Sequence, residues 1–338
     1  MSCNTLNSAL KPVLDRYETG QICILADKCL IRHELWLGAE SLHDLPVLWI
    51  DVDEQKKSLE TLSRIWDFLF AHSITRRGLL ICIGGGVLTD MGGFAAATYK
   101  RGMDYINVPT TLLAMIDASS GGKTGINYGG IKNSIGVFAM PQQTVVCPEW
   151  LSTLSAQQFL SGFAEMLKTG LIDSEALWNA LLNYDLETLP IEALSSLISD
   201  CLAVKQRIVD QDPHEEGLRK VLNLGHTFGH ALEIKMQVPH GYAVLYGLIA
   251  ELYLSVTKLG CSRVPLQQLT QLMLQYYGKP QCKCSDREQL LALMQQDKKN
   301  EHVAQINCTL LRAVGQPAVN QMITASEANE ALDYLFSL

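Results

Sequence analysis

The chain is short of positive charge. Against 35 aspartates and glutamates it has 27 lysines and arginines, so the 338 residues carry a net charge of −8 and a pI near 5.5. A polyanion binder needs the opposite balance, which argues against nucleic acid and anionic membrane surfaces as principal partners. No uninterrupted apolar run approaches the roughly 18 residues that a membrane span requires. Met1 to Tyr17 hold no apolar block of the kind a secretion signal carries, so a cytoplasmic protein is expected. Paired metal-binding cysteines are missing too. Cys282-Lys283-Cys284 is C-x-C with no second pair, which does not build a zinc ribbon. Cys23, Cys82 and Cys147 sit in short apolar runs and are expected to be reduced core thiols.

What is present is a hydrophobic share of 48% against 18% charged, enough for a sizeable core, and a length that favours two domains over one. The first half alternates. Gln21–Ala26 and Val47–Asp51 read as strands, Leu59, Leu62, Ile65, Trp66 and Leu69 as a helical stripe, and Leu79–Ile83, Tyr105–Val108 and Thr144–Cys147 as further strands. Strand and helix in alternation predict a mainly parallel sheet covered by helices. Near residue 153 the pattern changes. Ser155-Ala156-Gln157-Gln158 is a capping box, and from there helical periods dominate, over Ile191–Val209 and Tyr246–Leu259. A strand over Ile306–Ala313 and a helix opened by Thr324 and Glu327 close the chain. The expected fold is an α/β domain over 1–153 and a mainly α-helical domain over 154–338.

Gly84-Gly85-Gly86 follows a buried strand and precedes a helix, the place where a parallel sheet binds pyrophosphate on backbone N–H groups. Thr89 stands where G-x-G-x-x-G has its last glycine, so a purely structural turn is the competing reading. Val108-Pro109-Thr110-Thr111 puts two hydroxyls at a strand's carboxyl end, suited to a nucleotide, with an N-cap role for Thr110 as the alternative. Asp117–Asn127 reads as a small, polar, flexible loop holding Lys123, and Lys132-Asn133 follows nine residues after that lysine. Lysines there suit phosphate oxygens or a proton relay, where either one alone would read as a solvated side chain.

Leu222–His230 is the most informative stretch. Read as one helix, it puts Arg219, Asn223, His226 and His230 on a stripe roughly 60° wide. A guanidinium, an amide and two imidazoles suit neither a core nor a solvent face, and they do suit an anionic substrate and a metal. Gly225 and Gly229 lie on another face, at about 1 kcal/mol each in a helix, which is tolerable where a backbone or ligand approaches closely. On the helix after Ser155, Glu165 and Lys168 are neighbours three residues apart among apolar residues. A buried carboxylate there wants a cation. With His226, His230 and His240 nearby in sequence, one carboxylate and two imidazoles form a zinc set with an open position. Spacing alone leaves open whether His226 pairs with His230 or with His240.

Taken together, these residues resemble 3-dehydroquinate synthases. The likeness runs from about Asp53 to Lys299 through Gly84-Gly85-Gly86-Val87 with Asp90, Tyr99-Lys100-Arg101-Gly102, Pro109–Ala114, Gly121-Gly122-Lys123-Thr124-Gly125, Lys132-Asn133, Ala164–Lys168, Asn223–His230 and His240-Gly241. The resemblance implies a Rossmann-like N-terminal domain that binds NAD and a helical C-terminal domain that binds a divalent metal, zinc or alternatively cobalt. It implies Glu165, His226 and His240 as metal ligands. It implies NAD contacts from Asp27, Asp53, Glu54, Lys57, Ser58, Gly85, Gly86, Val87, Asp90, Thr110, Thr111, Lys123, Lys132 and Thr153. It implies a substrate site of Arg101, Asp117, Lys123, Lys132, Asn133, Lys168, Lys205, Arg219, Asn223, His230 and Lys299. Arg101 would reach a neighbouring subunit's site, so a homodimer is implied. The implied reaction turns 3-deoxy-D-arabino-heptulosonate 7-phosphate into 3-dehydroquinate and phosphate, in the shikimate pathway. It runs through transient oxidation by NAD, elimination, re-reduction, ring opening and aldol closure.

The chain departs from the family where His-Gly-Glu becomes His240-Gly241-Tyr242, where Ser120 replaces a common valine, and at Tyr128-Gly129-Gly130-Ile131. None of these removes an implied catalytic group, though the first bears on metal affinity. The rival functions are a sedoheptulose 7-phosphate cyclase, a metal-dependent polyol dehydrogenase and an inactive binding protein. The first should alter Arg219, Asn223 or His230. The second needs fewer anion-binding groups. The third should lose a metal ligand or Lys123. The chain keeps all of these residues.

Overall fold

The computed structural model describes residues 4–295 and 306–338, so Lys299, with Asp297 and Lys298, lies outside the described residues. The chain divides into two compact units, Met1–Leu154 and Ser155–Leu338.

The first unit is built on five parallel strands, β1 (Ile22–Asp27), β2 (Val47–Ile50), β3 (Leu79–Gly84), β4 (Asp104–Pro109) and β7 (Gln143–Thr144), in the order β2-β1-β3-β4-β7. Every residue of β3 is buried, as expected of a central strand covered on both faces. Its helices are α1 (Asn4–Leu14), α2 (Glu34–Leu37), α3 (Leu59–Ala71) and α4 (Gly86–Thr98). The predicted apolar stripe of α3 buries Leu62, Ile65 and Leu69 in the same core as Leu25, Cys82 and Met91. Helix α4 lies so close to β3 that a methyl on Gly92 would meet Cys82 Sγ at 2.3 Å. Cys23, Cys82 and Cys147 are buried free thiols, and burial pushes Cys23 and Cys147 up to about 12, which keeps them protonated and unreactive.

Two expectations change here. From Lys123 the segment read as a flexible loop belongs to a β-hairpin, β5 (Lys123–Tyr128) and β6 (Ile131–Phe138), paired antiparallel with Tyr128 opposite Ile131. The turn residues Gly129 and Gly130 have φ of 62° and 79°, the two left-handed positions that a two-residue hairpin turn demands. The strand expected over Thr144–Cys147 lies at Gln143–Thr144 and shares only Thr144 with it, and Pro148 opens a short 3-10 turn through Thr153.

The second unit is mostly helical: α5 (Ala156–Asp173), α6 (Glu175–Leu182), α7 (Ile191–Gln211), α8 (His226–Met236), α9 (His240–Leu259), α10 (Arg263–Leu272), α11 (Arg287–Gln295) and α12 (Ala325–Ser337). Both predicted capping boxes form, Ser155 with Gln158 on α5 and Thr324 with Glu327 on α12. The strand β8 (Ile306–Ala313) pairs with β9 (Gln316–Ile323), which its own pattern did not announce. Helix α9 is long and apolar enough to cross a membrane, but 67% of its apolar window is buried in the protein.

The expected single helix through Arg219 and His230 does not form. Leu218–Asn223 is a 3-10 turn, Leu224 is extended, and Gly225 turns left-handed at φ 83° before α8 begins at His226. The glycines do serve close approach. A methyl on Gly247 of α9 would sit 1.9 Å from Gly225 O, and one on Gly229 would sit 3.1 Å from Val244 Cα. Helices α8 and α9 therefore meet backbone to backbone, the start of α8 against Ala243–Gly247 of α9.

Candidate active site

In the first unit the glycine turn stands at the carboxyl ends of β3 and β4. Gly85 is the N-cap of α4, and no side chain caps that helix. Its first N–H groups are thus presented without competition from a side-chain acceptor, as a bound phosphate needs. Val87 lies in the same turn. Thr110 N donates to Gly84 O at 3.0 Å, and Thr111 Oγ1 accepts from Ala114 N, so the capping part considered for Thr110 falls to Thr111. Asp90, one turn into α4, faces Lys57 Nζ at 2.5 Å, and the same ammonium reaches Asn133 Oδ1. Lys57 is only 3% exposed, so its charge is held by these partners. Asn127 ties the group together. It donates to Glu54 Oε1 at 2.8 Å and accepts from Asn133 N at 2.8 Å. Sequence reasoning passed over Asn127, because its partners come from a distant turn and from the other arm of the hairpin. A cavity of about 320 Å³ is lined by Asp90, Lys123, Thr124, Asn133 and Ser134, among others.

Other predicted residues take local roles. Asp53 accepts from Lys56 N, Ser58 caps α3, Asp27 at the end of β1 accepts from Cys29 N, and Thr153 donates to Trp150 O. Arg101 and Lys132 are exposed, Arg101 in a turn with φ 68°. Asp117 sits half-buried in the turn Ala114–Ala118.

In the second unit Glu165 of α5, His226 of α8 and His240 of α9 converge, with one donor atom from each within 4.8 Å of the others. Glu165 Oε1 is 3.5 Å from His226 Nε2 and 3.2 Å from His240 Nε2. A tetrahedral zinc ion ~2.0–2.2 Å from each donor sets its ligands ~3.3–3.5 Å apart, so these spacings fit one. Glu165 is 1% exposed, and neither of its oxygens completes a hydrogen bond, although Lys168 Nζ lies 2.5 Å from Oε2. Lys168 serves Oε2 as a cation, and Oε1, which faces both imidazoles, is the oxygen left for a metal. Burial raises its pKa, but the Lys168 ammonium and the His240 imidazole outweigh burial and hold the pKa at about 2. For His240, burial disfavours the charged form, yet Glu165 and Glu233 push it up to about 10 in the metal-free protein.

At this cluster, Glu233 is a residue that sequence reasoning missed. Its Oε2 lies 2.9 Å from His240 Nδ1, which orients the ring and leaves Nε2 facing Glu165. It sits seven residues beyond His226 on the same helix, a spacing that could have flagged it. Tyr242, at the family's glutamate position, packs its ring against Tyr277 at 4.8 Å instead. His230 adds a third imidazole, its ring centroid 5.3 Å from that of His226 and 6.2 Å from that of His240. Arg219 and Asn223 sit on the 3-10 turn that precedes α8 and not on a shared helix stripe with the histidines. Arg219 Nη1 donates to Pro213 O, and Asn223 Nδ2 donates to Glu215 Oε1 at 2.7 Å. Lys168 and Lys205 are both buried.

A five-stranded parallel sheet with an uncapped glycine turn, and a helical unit with one carboxylate and two imidazoles around a point, define the dehydroquinate synthase-like class of two-domain enzymes. Models of the 3-dehydroquinate synthase N-terminal and C-terminal regions match residues 47–161 and 162–300. The 3-dehydroquinate synthase of Parabacteroides distasonis is 40% identical, with 98% of this chain and 96% of that protein covered. Among solved structures, ValA, a 2-epi-5-epi-valiolone synthase from Streptomyces hygroscopicus with NAD+ and Zn2+ bound, is 26% identical at a TM-score of 0.83, covering 96% of this chain and 93% of that one. A 2-deoxy-scyllo-inosose synthase, 22% identical at a TM-score of 0.83 over 96% and 94% of the two chains, shares the fold. The chain belongs to the 3-dehydroquinate synthase family.

Proposed function

We propose that the protein is a 3-dehydroquinate synthase, a carbon–oxygen lyase that takes 3-deoxy-D-arabino-heptulosonate 7-phosphate to 3-dehydroquinate and phosphate in the shikimate pathway. The observation that carries the reading is the convergence of Glu165, His226 and His240 beside the buried Lys168. The uncapped glycine turn and the Lys57–Asp90–Asn133 group fit NAD, and the two-imidazole, one-carboxylate set fits zinc or cobalt. When bound, NAD supplies a reversible hydride acceptor and the metal a Lewis acid.

The protein's own residues bind and orient. Gly85, Gly86, Val87, Asp90, Thr110 and Thr111 hold the nucleotide, with Glu54 and Lys57 fixing the wall beside it. Asp27, Asp53, Ser58 and Thr153 add further contacts to the nucleotide. Lys123, Lys132, Asn133, Lys168, Lys205, Arg219, Asn223 and Lys299 supply cationic and amide donors for the substrate's phosphate, carboxylate and hydroxyls. Asp117 and His230 complete the list. Positioning and electrostatics are the main contribution of such a site. We read the protein as a cytoplasmic homodimer in which the exposed Arg101 serves a partner's site. The exposed apolar side chains of Ile131, Ile135, Val137 and Phe138 on β6 support a contact between protomers. Sedimentation showing only a monomer would remove that part of the reading.

The test is to incubate the protein with the heptulosonate phosphate, catalytic NAD and zinc. Phosphate release without net NADH is expected. NADH accumulating with turnover would mean a polyol dehydrogenase, and phosphate release from sedoheptulose 7-phosphate alone would mean the cyclase.

A further inference from the structure

One buried acid stands outside every group assigned above. Glu251, on α9, is 0% exposed. Its Oε2 accepts the Gly225 N–H at 2.5 Å, and its Oε1 accepts the Thr227 N–H at 3.2 Å. The Gly225 N–H and the Leu224 C=O belong to one planar trans amide and point to opposite sides of it. That carbonyl oxygen lies 3.1 Å from His226 Nδ1. A single line of hydrogen bonds therefore runs from the Glu251 carboxylate through the Leu224–Gly225 peptide to the His226 imidazole, whose Nε2 faces Glu165.

We propose that Glu251 is a positioning residue for the metal ligand His226, acting through the Leu224–Gly225 peptide bond. The proposal rests on the metal reading given above. A carboxylate drawing on the N–H polarises the amide, so its carbonyl becomes a stronger acceptor for His226 Nδ1–H. That bond fixes the tautomer, holds the ring plane and makes Nε2 a better donor to an ion. The two imidazole ligands then have matching support: His240 receives a carboxylate directly from Glu233, and His226 receives one relayed across a peptide. The left-handed Gly225 fits the arrangement. It aims the N–H into α9, and Gly247, one turn before Glu251, leaves room for it. A remote helix cap with no bearing on the metal is the competing explanation, and the two differ in what they predict.

The experiment compares wild type, Glu251→Gln and Ser255→Ala. Zinc affinity is read by competition with a chromophoric chelator, and the His226 Nδ1–H resonance by NMR of the zinc-loaded protein. Ser255 Oγ donates to Glu251 O and accepts from Leu311 N, so its loss loosens the same helix turn and spares the carboxylate. E251Q is expected to bind zinc about 10- to 100-fold more weakly, with the imidazole resonance moved upfield, while S255A keeps both near wild type. E251Q with unchanged zinc affinity, or S255A falling as far as E251Q, overturns the proposal. Wild-type protein that takes up no zinc overturns the metal reading and this one with it. If E251Q does not fold, the wild-type Gly225 amide proton decides: a position well downfield of the other amides of α8 supports the relay, and an ordinary one refutes it.

Discussion

Replacing Gly247 with alanine sets two effects of opposite sign against each other. Helix propensity alone predicts a gain of about 1 kcal/mol, because alanine is the better helix former. Packing predicts the reverse. The added methyl would lie 1.9 Å from Gly225 O and 2.7 Å from Gly229 N, where ordinary contact begins at 3.4 Å. Both neighbours are backbone atoms and cannot swing aside, so α8 and α9 must part by about 1.5 Å at that point, and overpacking of this kind costs about 1–3 kcal/mol. The separation also moves His226, in the first turn of α8, away from His240, in the first turn of α9. A zinc site tolerates ligand displacements of only ~0.2 Å, and misplacing a reacting group by ~1 Å costs on the order of 100-fold in rate. Urea denaturation of the metal-free protein and chelator competition for zinc measure the two consequences separately. Gly247→Ala should lower stability by about 1–3 kcal/mol and zinc affinity by at least tenfold. A variant that gains stability and binds zinc like wild type would refute the reasoning.

Glu233→Gln removes the carboxylate behind His240 and should weaken zinc binding about 10- to 100-fold with little change in fold, checked by chelator competition beside circular dichroism. Because His240 is raised to about 10 in the metal-free protein, zinc must displace its proton at neutral pH. Affinity should therefore rise about tenfold per pH unit between roughly 6 and 9, with one proton released per ion. Calorimetry in two buffers of different protonation enthalpy counts that proton, and a pH-independent affinity would contradict the assignment. Stability of the metal-free protein follows the same shifts. The raised His240 stabilises fully below 6.5 and loses that contribution as pH climbs through about 10, while the lowered Glu165 stabilises above 4.5 and loses its contribution as pH falls toward about 2. Thermal melts across pH should show both edges. Gly130→Ala, at φ 79° in the hairpin turn, should cost about 1–2 kcal/mol by denaturation.

Local patterns carried much of the fold. The apolar run of β3 ended by three glycines, and the two capping boxes, depend on residues within a few positions of one another, and sequence displays such patterns directly. Elements whose logic lies in the sign of φ were harder. Periodicity of 3.6 runs unbroken through Arg219, Asn223, His226 and His230, and nothing in that spacing shows that Gly225 turns left-handed and splits the stripe. The hairpin was hidden for a related reason. Gly129-Gly130 between Tyr128 and Ile131 is a turn signal, but the surrounding glycines and lysines read as a flexible loop. At the metal cluster, spacing named the right kinds of side chain and left the pairing of His226 open. The buried supports, Glu233 and Glu251, earn their roles from groups on other turns and helices, and single-sequence patterns do not reveal such partners. Asn127 escaped for the same cause.

The assignment of Glu165, His226 and His240 as one ligand set can be tested most directly by diffraction at the zinc absorption edge on crystals of the zinc-loaded protein. A single anomalous peak is expected about 2.0–2.2 Å from a Glu165 oxygen and from Nε2 of both His226 and His240. A peak held by His226 and His230 with Glu165 out of reach, or no peak at all beside Glu165, would contradict the account.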